Sequence, residues 1–161
     1  EKIYDYKTGK TVKRITTGGG IDVSPNFSPD GNQLAFASER SGGSQIFVYN
    51  LSSGETQRVS RQGPFNVDPV WSPDGTKLAF VGRDPKFDVF VLDMTTKLTI
   101  RVTQNMGDNE DPSWSPDGKY LVFSSTRSGR SQIWLSTADG EHQTLVTDSS
   151  SGWSQPVWGP R

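Results

Sequence analysis

The phrase Ser-Pro-Asp-Gly occurs three times, at 28–31, 72–75 and 115–118. The spacings are 44 and 43 residues, and a degenerate copy, Trp158-Gly159-Pro160, lies one further step on. The flanks hold the same register. Pro25, Pro69, Pro112 and Pro156 each stand two residues before an aromatic, namely Phe27, Trp71, Trp114 and Trp158. After each Asp-Gly comes an apolar alternating segment (Gln33–Ser38, Lys77–Gly82, Lys119–Ser125), then a polar turn carrying Arg40, Arg83 or Arg127. A third segment follows (Gln45–Tyr49, Asp88–Leu92, Gln132–Ser136), and then a short fourth (Gln57–Ser60, Thr99–Thr103, Gln143–Thr147). Four short strands in each period of about 40–45 residues are the sequence pattern of a propeller blade. None of the segments is long enough for a helix, and their alternation has the period of a strand.

The phrase itself fits a tight turn between the first and second strands. Proline presets one central φ, Asp bonds nearby N–H groups, and Gly takes the positive φ that re-enters the next strand. Asp30, Asp74 and Asp117 are therefore expected to cap turns rather than act as catalytic carboxylates. The aromatic series is expected in the core, wedged between neighbouring sheets.

The chain is thus expected to be all-β, a β-propeller of four-stranded antiparallel blades. Residues 1–19 should hold the outer strands of a preceding blade (Lys2–Tyr6 and Val12–Thr16). Blades should follow at 20–62, 63–105 and 106–150, with 151–161 a closing inner strand at Ser154–Trp158. That is about 3.75 blades, so we expect a piece of a longer propeller, lacking material before Glu1 and latched shut by its last strand. Its open edges could support self-association.

Composition narrows the function. Seventeen Lys and Arg against eighteen Asp and Glu give a net charge of −1 in 161 residues. This offers no basic footprint for nucleic acid and no polybasic membrane anchor, and no apolar run approaches the ~18 residues of a membrane span. With no Cys and a single His, there is no thiol nucleophile and no Cys-based zinc site. His142 falls in a turn away from the expected binding face. Gly-x-Ser-x-Gly is missing, and Gly18-Gly19-Gly20 lacks the Lys and Ser/Thr of a phosphate loop. No catalytic residue is assigned, and the segment is not expected to be an enzyme.

The loops entering each inner strand vary most between copies, and variable loops on a rigid scaffold commonly carry binding. They place Asp22, Phe65, Asn66, Asp68, Asn109, Glu110, Asp111, Trp153 and Gln155 around the channel mouth. Arg40, Arg83 and Arg127 come from turns on the same face. This is an acidic rim with aromatic anchors, suited to a folded partner or a basic segment. The acidic residues also read as strand starts and the arginines as turn anchors. No cofactor is expected. The oxygen-rich run Asp108–Asp111 is the one place where Ca²⁺ could be considered, and it is not a twelve-residue calcium loop.

The segment 27–48, Phe-Ser-Pro-Asp-Gly through Gln-Ile-Phe-Val, resembles the repeat of TolB-type propellers. Residues 114–135, and the closing passage from Thr137 through Gln155-Pro156-Val157-Trp158-Gly159-Pro160-Arg161, are similar to the same family. The resemblance implies a six-bladed propeller and a periplasmic component of the Tol–Pal envelope system. Its partners would be the peptidoglycan-associated lipoprotein Pal, bound at the channel mouth, and other Tol proteins, with no direct membrane insertion. Two alternatives stay open: a substrate-gating propeller of a prolyl-oligopeptidase-like peptidase, and a sugar- or peptidoglycan-binding propeller.

Overall fold

A computed structural model describes residues 2–4, 7–16, 20–104, 106–147 and 151–159. Asp5 and Tyr6 of the first expected strand, Gly18-Gly19 and Pro160-Arg161 lie outside the described residues.

The Ser-Pro-Asp-Gly turns organise everything else. In each, the Ser hydroxyl donates to the Asp carboxylate, at 2.5 Å for Ser28–Asp30 and 2.6 Å for both Ser72–Asp74 and Ser115–Asp117. The same carboxylates accept the N–H of Asn32, Thr76 and Lys119. Gly31, Gly75 and Gly118 sit at φ of 70–72°, where a residue with a Cβ is strained. The Ser72 hydroxyl and the Thr76 amide, with smaller help from the Thr76 hydroxyl and Lys77, hold the Asp74 carboxyl down at about 2 against the opposing effect of burial.

These turns join strands into three four-stranded antiparallel sheets. The first holds β3 (Asp22–Phe27), β4 (Gln33–Ser38), β5 (Gln45–Asn50) and β6 (Thr56–Arg58) in that order. The second holds β7 (Asn66–Trp71), β8 (Lys77–Arg83), β9 (Phe87–Asp93) and β10 (Thr99–Arg101). The third holds β11 (Asn109–Trp114), β12 (Tyr120–Ser125), β13 (Gln132–Thr137) and β14 (Gln143–Leu145). Ahead of them, β1 (Lys2–Tyr4) pairs with β2 (Thr11–Arg14) as a two-stranded sheet. Each full sheet is a meander, consistent with a propeller blade. Among the described residues there is no helix, and so none long and apolar enough to cross a membrane.

The outer strands β6, β10 and β14 end two residues earlier than the sequence suggests. There a hydroxyl takes over from the backbone ladder. Ser60 Oγ accepts the Ile46 N–H at 2.9 Å, Thr103 Oγ1 that of Val89 at 2.9 Å, and Thr147 Oγ1 that of Ile133 at 3.1 Å.

The core lies between blades. Trp71 packs with Ala35, Ile46 and Val48 of the preceding blade, and Trp114 with Ala79, Val89 and Val91 of its own preceding blade. Both tryptophans are only 7% exposed. Phe27 departs from the expectation of a core residue, being 47% exposed. The buried cluster on that face of the first blade is Leu34, Phe36, Phe47 and Tyr49 with Ile15 and Leu51 against it, and Phe27 is not part of it; the β1–β2 sheet ahead of it has only two strands among the described residues. Trp158 is half-buried.

Residues 151–159 form no strand, unlike the inner strand expected at Ser154–Trp158. A strand needs a ladder partner, and no described residue provides one. The segment nevertheless keeps inner-strand register across the blade gap. The Trp153 N–H donates to Ser131 O at 2.8 Å, repeating the bond from the Asn66 N–H to Ser44 O, also 2.8 Å. Ser131 Oγ donates to Trp153 O as Ser44 Oγ does to Asn66 O.

Candidate functional site: the inner-strand rim

Each inner strand is interrupted just before its proline. Register shifts fall between Val23 and Asn26, Val67 and Val70, and Glu110 and Ser113. The skipped pairs are Ser24-Pro25, Asp68-Pro69 and Asp111-Pro112, where proline has no N–H to give to a ladder. The residue before each proline is left-handed, with φ of 54° at Ser24, 52° at Asp68, 55° at Asp111 and 52° at Gln155. Such geometry costs on the order of 1–3 kcal/mol for a non-glycine residue and persists only where its surroundings enforce it.

The kinks turn these side chains toward one another. Ser24 Oγ donates to Asp68 Oδ1 at 2.6 Å across the gap between two blades. Asp111 Oδ2 accepts from Ser124 Oγ at 3.0 Å and from the Gln155 N–H at 3.3 Å, joining the last blade to the tail. The four kinked segments line one groove of about 500 Å³ with Asn26, Val70, Ser113 and Val157. Glu110 is exposed beside it. Desolvation, followed by the charges of Asp111, Asp108 and Asp68, raises its carboxyl pKa above the ordinary value.

An aromatic patch stands on the middle blade. Phe65 meets Phe87 edge-on at 6.0 Å, and the Arg83 guanidinium lies 5.3 Å from the Phe87 ring centre. Trp153, 49% exposed, occupies the position of Asn66 and Asn109 in the final repeat.

The other candidates turn inward. Asn66 and Asn109 are fully buried. Asn66 Nδ2 donates to Gln45 Oε1 at 3.1 Å, where Ser60 Oγ (2.6 Å) and Arg58 Nη2 (2.8 Å) also donate. One blade on, Asn109 Nδ2 donates to Asp88 Oδ1 at 3.1 Å, beside Thr103 Oγ1 at 2.6 Å. Arg101 Nη2 and Nε reach Asp88 Oδ2 at 2.5 and 3.1 Å. These are matched blade-to-blade clasps. Arg127 stacks over Trp134 at 4.4 Å while donating to Ser125 Oγ, Gln143 Oε1 and Asn109 Oδ1. Arg40 lies 5.0 Å from the ring centres of Phe36 and Phe47 and pairs with Asp22 at 3.2 Å. Burial opposes ionisation of Asp22, but bonds from Ser38, Thr16 and Arg40 prevail and lower its pKa.

The groove thus gathers Asp68, Asp111 and Gln155, with Glu110 at its margin. Phe65 and Arg83 form the patch on the middle blade, and Asn66, Asn109, Arg40 and Arg127 belong to the framework. Ser24, Phe87 and Ser124 escaped sequence reasoning. Phe87 had a signal, because the corresponding positions are Ser44 and Ser131. Asp108 is turned to Phe87, whose N–H it accepts at 3.2 Å. Among the described residues no group of three or more His, Cys, Asp or Glu converges as a metal site.

The family model described as TolB beta propeller domain matches residues 2–87 and 65–161. The chain belongs to the TolB propeller family. TolB of Acinetobacter baumannii superposes with a TM-score of 0.86 at 29% identity, over 98% of this chain and 40% of that one. The Tol-Pal system protein TolB of Bordetella pertussis is 49% identical over 47 residues, which is 29% of this chain and 11% of that protein. The TolB homolog of Chlorobium luteolum is 45% identical over 49 residues, again 11% of its length. The chain therefore spans well under half of these TolB relatives. An oligogalacturonate lyase of Vibrio parahaemolyticus, at 15% identity and a TM-score of 0.73, shares the fold alone.

Proposed function

We propose that this chain is a non-catalytic, periplasmic binding propeller of the Tol–Pal system, and that it captures Pal at the channel mouth. In that role it would support outer-membrane integrity, cell division and the import of some bacteriocins. The observation behind this reading is the fourfold left-handed kink before proline, which sets Asp68 and Asp111 along one groove. Strain maintained in every repeat is a reason to look for binding there, and the rigid inner strands need no reorganisation to present it. Trp153 and the Phe65–Phe87 pair supply aromatic anchors at the margins. Aromatic residues are the usual hot spots of interfaces, worth about 2 kcal/mol or more each.

The test is calorimetric titration of the soluble domain of Pal into the protein and into Trp153→Ala and Asp111→Asn variants. Asn keeps the left-handed backbone accessible. A loss of about 30-fold in affinity from Trp153→Ala is expected, with a smaller, salt-sensitive loss from Asp111→Asn. Wild-type affinity in both variants would remove the rim from the binding site.

A further inference from the structure

Where the outer strand of the first blade runs into the loop toward the second, there is a groove of about 440 Å³. That volume lies within the range of about 300–1,000 Å³ seen for ligand sites. Among the described residues it is lined by Arg58, Ser60 and Arg61, with no carboxylate. Both arginines are exposed, and Ser60 is fully buried.

The repeat provides an internal control on the charge of this groove. Arg58 stands opposite Phe47 across its sheet, as Arg101 stands opposite Phe90, and the third blade sets Leu145 opposite Trp134. Arg101 is neutralised, because its Nε and Nη2 reach Asp88 Oδ2 at 3.1 and 2.5 Å. The first blade carries Gln45 where the second carries Asp88. Arg58 Nη2 donates to Gln45 Oε1 at 2.8 Å, and Nε donates to Ser60 O at 3.0 Å. Its guanidinium is thus held by two neutral acceptors in the place where its counterpart meets a carboxylate. A second difference adds to the first. Arg61 follows Ser60, whereas Gln104 follows Thr103 and Asp148 follows Thr147. At these three positions the first blade has two cations and no anion, the second has one of each, and the third has no cation.

This imbalance selects the occupant. Gln45 Oε1 is already shared by Ser60 Oγ, Arg58 and Asn66 Nδ2. Arg58 Nη1 and the Arg61 guanidinium donate to no protein group among the described residues. Arginine's planar fork suits carboxylate and phosphate oxygens alike, and here the number of uncompensated charges decides between them. A carboxylate brings one charge and two oxygens. A phosphomonoester brings close to two charges and three acceptor oxygens on one centre, enough to engage both side chains. A phosphate group amounts to a few water volumes of about 30 Å³ each, so the groove has room for the group it is esterified to.

We propose that the groove between Arg58 and Arg61 binds a phosphomonoester, whose oxygens accept from Arg58 Nη1 and the Arg61 guanidinium. The site does not depend on Pal capture at the rim.

The probe is phenyl phosphate, a dianion at about pH 8, titrated into the whole ¹⁵N-labelled chain. Shifts are expected at the Nε–H groups of Arg58 and Arg61 and at the amides of Ser60 and Arg61. Phenyl sulfate, of the same shape but with one charge fewer, should bind at least fivefold more weakly. Inorganic phosphate should perturb the same residues with lower affinity. Two substitutions install what the second blade carries, so the sheet should fold, and unchanged amide dispersion elsewhere checks that it does. Arg61→Gln removes one cation, and Gln45→Asp neutralises Arg58 while keeping both arginines. Each should cut the affinity at least tenfold, whereas Lys119→Gln, on another blade, should leave it unchanged. No binding, or undiminished binding to either variant, would overturn the proposal. An equal loss in Lys119→Gln would reduce it to general surface charge. Inorganic phosphate or malonate binding as tightly as phenyl phosphate would replace the ester by the free anion or by a dicarboxylate, and would overturn it as well.

Discussion

The blade-to-blade clasp at Asp88 allows an internally controlled test of what holds neighbouring blades together. Asp88, Thr103 and Asn109 are fully buried. Replacing Asp88 by Ala removes the acceptor for Thr103 Oγ1, for Asn109 Nδ2 and for two Arg101 nitrogens. Thr103 Oγ1 is left a buried donor without its acceptor, which costs about 1–3 kcal/mol, whereas Asn109 Nδ2 keeps Phe87 O and Gly107 O at 3.2 and 3.3 Å. Breaking a buried ion pair by removing one partner costs about 3–5 kcal/mol. Arg101 is 29% exposed in its side chain and can recover water, so the whole loss should be near the single-pair value, about 3–5 kcal/mol. Gln fills the corresponding position at 45 and 132, and Gln45 serves the same Arg, hydroxyl and Asn donors. Asp88→Gln should therefore cost less than about 1.5 kcal/mol, within the range of a conservative change. Urea unfolding followed by tryptophan fluorescence separates the two. With a slope of about 2 kcal/mol/M, Asp88→Ala shifts the midpoint down by about 1.5–2.5 M and Asp88→Gln by under about 0.8 M. If the two variants were equally damaging, the repeat equivalence behind this reasoning would be wrong.

Two further outcomes concern pH. The Asp74 carboxyl is held at about 2, below the ordinary range of an aspartate, so its contribution to stability is present above about pH 4 and disappears as pH falls toward 2. Asp74→Asn should be less stable at pH 6 and show a flatter acid limb in thermal melts, whereas parallel curves for the two proteins would contradict the turn assignment. Glu110 is shifted in the other direction, by desolvation and then by Asp111, Asp108 and Asp68. A carboxyl with a raised pKa opposes folding once it ionises, so Glu110→Gln should raise the melting temperature at pH 7 and leave it unchanged at pH 3. Carboxyl ¹³C titration should show Glu110 moving back toward its ordinary value in Asp111→Asn, and an unmoved Glu110 would exclude the Asp111 contribution.

The fold was legible because its determinants are local and repeated. The Ser-Pro-Asp-Gly turns close hydrogen bonds within five residues, and β4 runs over Gln33–Ser38 as the alternation indicates. The outer strands were misjudged in length because Ser60, Thr103 and Thr147 read as strand residues, although their hydroxyls end the ladder. The candidate site was less legible. Asn66 and Asn109 sit in polar loop sequences, and only the three-dimensional register shows them serving Gln45 and Asp88. The repeated pairing of Gln or Asp with Ser or Thr some 15 residues later was the available trace. The left-handed backbone before each proline has no single residue type as its signature, falling on Ser24, on Asp68 and Asp111, and on Gln155. Phe27 was misplaced because burial of an inner-strand aromatic depends on the preceding blade, and nothing near residue 27 in the sequence encodes that neighbour.

The tail at 151–159 separates two attachments that are made together in the other inner strands. It is seated through Ser131, 22 residues upstream of Trp153, and through Asp111 and Ser113, with no ladder of its own. The short loop to Ser131 closes at little entropic expense, whereas recruiting a sheet partner from a remote part of a chain is slow. Seating against the neighbouring blade can therefore come first in time, presenting an edge already held in inner-strand register. The slow step of completing a blade is then reduced to a collision with a prepared template.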